Sequence, residues 1–206
     1  MSIKSSFRKS FFRLLIAITV VLCFTPSIKL AYGQVNLGVG PTVSISSDTT
    51  DQQIFDQAGV TLTIDDGATI TKTGNQAVQA GTNSTIIVNS GGTINATNNQ
   101  AIAAQANDTT IIINSGTIDA DSNFSIAVNQ TTNAIITNNV GGLITAATNT
   151  IFASQSSGLT ITNSGTISVE SLSSDAIDLG NGTGATITLK NGSLIIGKIS
   201  TTGTGN

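Results

Sequence analysis

The chain has 206 residues, no histidine, no tryptophan, one cysteine and a formal net charge of −3. Beyond residue 33 only Lys72, Lys190 and Lys198 face all eleven acidic residues, a net of −8. So few cations cannot neutralise a run of phosphates, which excludes nucleic acid as a partner; without histidine there is no Ser-His-Asp triad.

The first 33 residues read as a helical secretory signal peptide. Lys4, Arg8, Lys9 and Arg13 give a basic start, and residues 14–24 are apolar apart from Thr19. Pro26 breaks the stretch, and Ala31-Tyr32-Gly33 places small residues at positions −3 and −1 of a cleavage site before Gln34. The apolar core is shorter than the roughly 20 residues a spanning helix needs. Leu22 is a poor neighbour for a lipoprotein site at Cys23. Cleavage to a soluble product removes the only cysteine, leaving no disulfide or thiolate site.

Residues 34–59 hold Pro41, the alternating Val43-Ser44-Ile45, and a polar run over 46–53. No repeat is visible there, and the segment is expected to be an irregular first turn or cap, because a stacked array needs its end covered.

From residue 60 to 206 one phrase recurs. Asn114-Ser115-Gly116-Thr117-Ile118 returns as Asn163-Ser164-Gly165-Thr166-Ile167, and with an extra glycine as Asn89-Ser90-Gly91-Gly92-Thr93-Ile94. Looser copies begin at Asp65, Asn138 and Asn191. The steps between Ile70, Ile94, Ile118, Ile144 and Ile167 are 24, 24, 26 and 23 residues. A second marker, Val78, Ile102, Ile126, Phe152 and Ile177, steps by 24, 24, 26 and 25. Periods of this length signify stacked units. The shared step of 26 reads as one insertion.

Each unit offers three short stretches rich in Ile, Val and Thr, with apolar residues alternating, as in Leu159-Thr160-Ile161 and Ile167-Ser168-Val169. Leucine and charge are sparse, and Asn, Thr, Ser and Gly are poor in helix interiors. One unit buries too little to order itself, so neighbouring turns must share a core. The expected fold is an all-β parallel β-helix, a three-faced solenoid of about six turns of 23–27 residues. Ile94, Ile118, Ile144, Ile167, Ile102, Ile126, Phe152 and Ile177 should form its core. Asn89, Asn114, Asn163 and Asn191 should stack in one corner, where asparagine tolerates left-handed backbone and its amide bonds along the column. Gly92, Gly116, Gly165 and Gly192 should supply the other unusual dihedral. The last turn shows no cap, so the chain is expected to be the front of a longer protein.

Candidate chemistry is thin. Asp65 with Asp66, Asp119 with Asp121, and Asp175 with Asp178 are pairs that glycoside hydrolysis could use, but no arginine or histidine supports them, and solvated corner residues are the simpler reading. The stretch from Gly180 to Gly184 lacks the aspartate of a calcium-binding β-roll and the lysine of a phosphate loop. No catalytic, cofactor or metal residue is assigned. The pairs Thr61/Thr63, Thr69/Thr71, Thr160/Thr162 and Thr186/Thr188 suggest a flat Thr-x-Thr face of the ice-binding kind, but Ile111-Ile112-Ile113 and Ile135-Ile136 interrupt it. Phe124 is either a contact residue for a partner or folded under a corner.

The signal peptide followed by Asn-Ser-Gly-Thr-Ile and Ala-Ile phrases resembles the passenger region of a Gram-negative autotransporter, over roughly residues 34–206. The resemblance implies a right-handed β-helix, displayed outside the cell by a C-terminal outer-membrane translocator barrel that is absent from this chain. A haemagglutinin-like exoprotein released by a separate transporter is similar nearly as well. The expected function is a non-enzymatic adhesin or display stalk at the cell surface, its host or matrix ligand unknown. The alternatives are a carbohydrate-active β-helix enzyme and an ice-binding or structural array.

Overall fold

The computed structural model describes residues 34–37, 42–106 and 108–203; the proposed signal peptide lies outside them. The described chain is an all-β solenoid of about six turns, wound from 21 short strands in three parallel sheets of eight, seven and six. Each pass around the coil adds one strand to each sheet. Thus Ile102–Ala103, Ile111–Asn114 and Thr117–Ala120 belong to the first, second and third sheet, and the next pass repeats the order with Ile126–Ala127, Ile135–Asn138 and Leu143–Ala146.

Alternation within each strand decides what is buried. In Thr117–Ala120 the second and fourth residues point into the core and the first and third outward. The inward isoleucines then form columns. Ile70, Ile94, Ile118, Ile144, Ile167 and Ile195 are successive register partners in the third sheet. The first sheet carries Val78, Ile102, Ile126, Ile151, Ile177 and Ile199. Ile94, Ile118, Ile144, Ile167, Ile102, Ile126 and Ile177 are all fully buried, as the repeat requires.

Phe152 is a correction. It pairs with Ala127 and Asp178 on the outer side of the first sheet, and Ile151 fills the core column instead. Adjacent residues of a strand face opposite ways, so a marker offset by one residue in this turn lands on the outer face. The single shared insertion dissolves with it. Lengths vary mainly because the corner between the second and third sheets has two forms. It spans two residues after Asn114 and Asn163, and four after Ile64, Val88, Asn138 and Leu189.

The winding also begins earlier than the repeat phrase. Gln34–Leu37 pairs in parallel with Gln52–Phe55, Thr42–Ile45 pairs with Thr61–Ile64, and Thr49 bridges Ile70. The described residues of this segment therefore form a first turn of the coil, as paired as the later ones and not irregular. Thr42 lies opposite Thr61, so this first turn is shorter than the rest and carries no two-dozen-residue signature.

The corner entering the second sheet uses left-handed backbone in each of the six turns where it is described. Gly59, Asn83, Thr109, Asn133, Gly158 and Gly184 all have positive φ there, between 45° and 77°. Glycine and asparagine tolerate this region, whereas a β-branched side chain crowds its own backbone. Thr109, at φ 45°, is the one strained member of the series. Thr109→Asn is expected to stabilise the protein by about 1 kcal/mol, read as a higher urea midpoint at unchanged slope.

Candidate functional site

Three constellations stand out: a buried polar ladder, a cluster of carboxylates, and a regular outer face. The ladder is Asn114, Asn138 and Asn163, register partners at the inward end of successive second-sheet strands. All three are fully buried. The Asn114 amide donates to Asn138 Oδ1 at 2.9 Å, and the Asn138 amide to Asn163 Oδ1 at 2.9 Å. Their second N–H groups reach third-sheet carbonyls one turn on, at Leu143 and Thr166, each at 3.0 Å. In the two-residue corners the side-chain oxygen also accepts the glycine N–H two residues later, from Gly116 and Gly165, each at 3.2 Å. A buried amide is tolerable only when so matched, and the ladder ties two sheets across a corner where the ladder of strand bonds turns.

Two of the expected members lie elsewhere. Asn89 falls in the corner after Val88, which holds the column position below Asn114. Asn191 lies beyond Leu189, which holds the position above Asn163. Asn138 was the missed member. Aligning on the strand that precedes the corner, Ile136-Thr137-Asn138 over Ile112-Ile113-Asn114, finds it; aligning on the glycine does not, because corner length varies. The ladder asparagines have ordinary backbone, so left-handed tolerance is not why they are there; Asn83 and Asn133 in the opposite corner use that property.

The glycines divide in the same way. A Cβ on Gly116 would come within 2.2 Å of the Gly92 carbonyl oxygen, and one on Gly165 within 2.3 Å of the Gly142 oxygen. Gly92, Gly116, Gly142 and Gly165 thus allow adjacent turns to approach. Gly192 is not in that column: it joins Gly67, Gly91 and Gly141, whose φ of 74–82° serves the four-residue corner.

The carboxylate pairs are mostly occupied by local bonds. Asp65 Oδ2 accepts the Ser44 hydroxyl at 2.5 Å, and Asp178 Oδ1 accepts the Gly180 N–H at 2.8 Å. Asp119 differs. It projects outward from the third sheet, level with Asn95 and Thr145. Burial holds its carboxyl above the usual aspartate range, with Asp121 and then Glu170 adding like charge. A carboxyl raised by burial with a second carboxyl close by is the kind of arrangement from which general acid–base pairs are built. Among the described residues, however, no group of three or more acidic, histidine or cysteine side chains is placed to hold a metal ion.

The second sheet presents the most regular surface. Its outward positions form two columns, Thr42, Thr61, Thr85, Ile111, Ile135, Thr160, Thr186 and Ser44, Thr63, Ile87, Ile113, Thr137, Thr162, Thr188. Every member except Ser44 is threonine or isoleucine. Ile111, Ile113 and Ile135 continue the same outward columns, while Ile112 and Ile136 point into the core; only Thr69/Thr71 belongs to another sheet. On the first sheet Phe124 is half-buried and stacks on Phe152, with ring centroids 4.4 Å apart and planes 11° from parallel. Phe124 is therefore neither a lone exposed contact nor tucked under a corner.

Compared with known proteins, the chain matches no family model, no curated protein and no solved structure.

Burial of Asp119 makes the stability of the fold depend on pH. Its folded-state pKa is raised, so the ionised carboxylate costs stability at neutral pH. That cost is relieved as pH falls through the raised value and is gone below the unfolded value near 3.8. Asp119→Asn should therefore be more stable than wild type at pH 7, and the two denaturation midpoints should converge by about pH 3.

Proposed function

We propose that this chain is an exported, non-enzymatic β-solenoid of the autotransporter-passenger kind, acting outside the cell as an adhesin or as a stalk that holds other modules away from the surface. The observation that carries the reading is the unbroken stack. Seven second-sheet strands in continuous parallel register, at roughly 4.8 Å each, make a stiff rod about 30 Å long. Its sides are largely uncharged threonine, serine and asparagine. Such a body suits spacing and display, and the leader of residues 1–33 supports passage across the inner membrane. A host or matrix ligand and an outer-membrane translocator belong to this proposal.

The test is export itself. The full chain, produced in a Gram-negative host, should be recovered beginning at Gln34, either in the medium or open to protease added to intact cells. Recovery from the cytoplasm with residues 1–33 attached would overturn the reading. Turnover of any member of a polysaccharide panel, abolished by Asp119→Asn, would replace it with a carbohydrate-active enzyme.

The second-sheet face favours a second reading. Two columns of methyl-bearing side chains, rows about 4.8 Å apart and columns about 7 Å apart, form a regular uncharged lattice suited to an ordered water surface. Thermal hysteresis in the folded protein, lost in Ile113→Lys and kept in Thr117→Lys on the third sheet, would support ice binding; ice growth unaffected by wild type rules it out.

A further inference from the structure

We infer that the outer face of the second sheet is a self-association surface, on which a second copy of this chain docks face to face. The pairing belongs to the folded coil and stands apart from the export reading; where it acts rests on that reading.

Interior turns set this surface. Four isoleucines, Ile87, Ile111, Ile113 and Ile135, take outward positions in three successive strands and lie side by side or directly over one another. All four are half-buried, with the rest of each side chain open to solvent. The core does not call for them, since Ile86, Ile112 and Ile136 already fill the inward column of the same strands. A contiguous apolar patch on an outer face marks a place of contact. The patch also has a two-fold pattern. A half turn of the face, about a point midway between Ile111 and Ile113, exchanges those two isoleucines, Ile87 with Ile135, and Thr85 with Thr137. The next rows out, Thr61/Thr63 and Thr160/Thr162, exchange threonine for threonine.

Such a pattern fits a copy of the same chain. A closed pair uses one patch twice, and the half-turn pattern lets two copies meet centre on centre with their coils parallel or antiparallel. In both arrangements the central isoleucines face isoleucines. Ile87 and Ile135 each face a threonine, so large opposes small in the flanking rows. Charge points to the same partner. Beyond residue 33 the chain carries eleven acids and three lysines, and the outward columns of the first and third sheets hold Asp178 and Asp119. The second-sheet strands carry no charged residue. Two acidic copies therefore approach there without setting like charges opposite each other. The five central rows span about 20 Å along the coil, in two columns about 7 Å apart, a footprint well short of the roughly 1,200 Å² of a standard interface. The contact is weak between free copies and takes hold where copies are displayed close together, at high local concentration.

Sedimentation equilibrium and disulfide trapping test this, with every variant sharing one N-terminus so that only the face differs. The mean mass of wild type should rise above one chain with concentration. The double variant Ile111→Thr/Ile113→Thr keeps β-branched side chains and should keep its β-sheet circular dichroism, yet stay monomeric. Thr117→Lys, on the third sheet, should associate like wild type. With Cys23→Ser removing the native thiol, Ile113→Cys should oxidise to a dimer if the coils are antiparallel. If they are parallel, the heterodimer of Ile111→Cys with Ile113→Cys should form instead. In either case trapping should be on the order of tenfold faster than at Thr117→Cys. Wild type that stays at one chain, association that persists in the double threonine variant, or trapping no faster than at Thr117→Cys overturns the pairing and leaves export standing. A chain that pairs but is recovered with residues 1–33 attached keeps the pairing and overturns export.

Discussion

The structure depends on a register constraint: every turn must place its inward side chains directly over those of the turn before. A single turn has no second layer of its own against which to bury isoleucine, and its backbone donors point along the coil axis toward residues about two dozen positions away. Both needs are met by the same neighbour. Ile118, for example, is enclosed by Ile94 and Ile144 in its column while its strand is hydrogen-bonded on both edges. Interior turns are thus stabilised almost wholly by nearest neighbours. The described residues are built accordingly from strands and corners, with no helix.

Corners are where the constraint is hardest to satisfy, and the two chief corners solve it differently. Entering the second sheet, the chain uses left-handed backbone, supplied by glycine or asparagine in five of the six described corners. Leaving that sheet, it uses side-chain amides at Asn114, Asn138 and Asn163, and a longer glycine-containing corner after Ile64, Val88, Asn138 and Leu189. The asparagine ladder starts and stops where Val88 and Leu189 take the column. Each buried amide is matched by the next, so removing the central Asn138 would strand polar groups on both sides, a larger loss than one average hydrogen bond of about 1 kcal/mol. Asparagine is therefore not decoration on the coil: it holds the second and third sheets at a fixed separation where apolar packing alone is sparse.

Much of this was legible in the residues. The spacing of Ile70, Ile94, Ile118, Ile144 and Ile167 gave the coil, its three faces and one full core column. What escaped notice did so for physical reasons. Ile151 and Phe152 are adjacent and both apolar, and only the pairing with Ile126 and Ala127 reveals which faces inward. Asn89 and Asn191 follow the repeated phrase but sit inside longer corners, whereas Asn138 is hidden by the same variation. The regular pairing of the first turn has no repeat signature because Thr42 pairs with Thr61 across a shorter interval. Of the candidate surfaces, the two Thr/Ile columns could be assembled only once register showed Ile111 and Ile113 continuing the lines of Thr85 and Ile87. Asp119 and Glu170 come from different turns, so their mutual influence has no sequence signal at all.

The most direct measurement removes one turn. Thr61 and Thr85 are register partners, so deleting residues 61–84 joins Val60 to Thr85 one strand lower with every column intact. The account predicts a shorter coil that keeps its β-sheet circular dichroism and unfolds cooperatively at lower denaturant. Deleting residues 61–72 instead throws the sheets out of phase and should abolish folding. If the full-turn deletion fails to fold while the half-turn deletion succeeds, or if both behave alike, the turns are not interchangeable layers and the account is wrong.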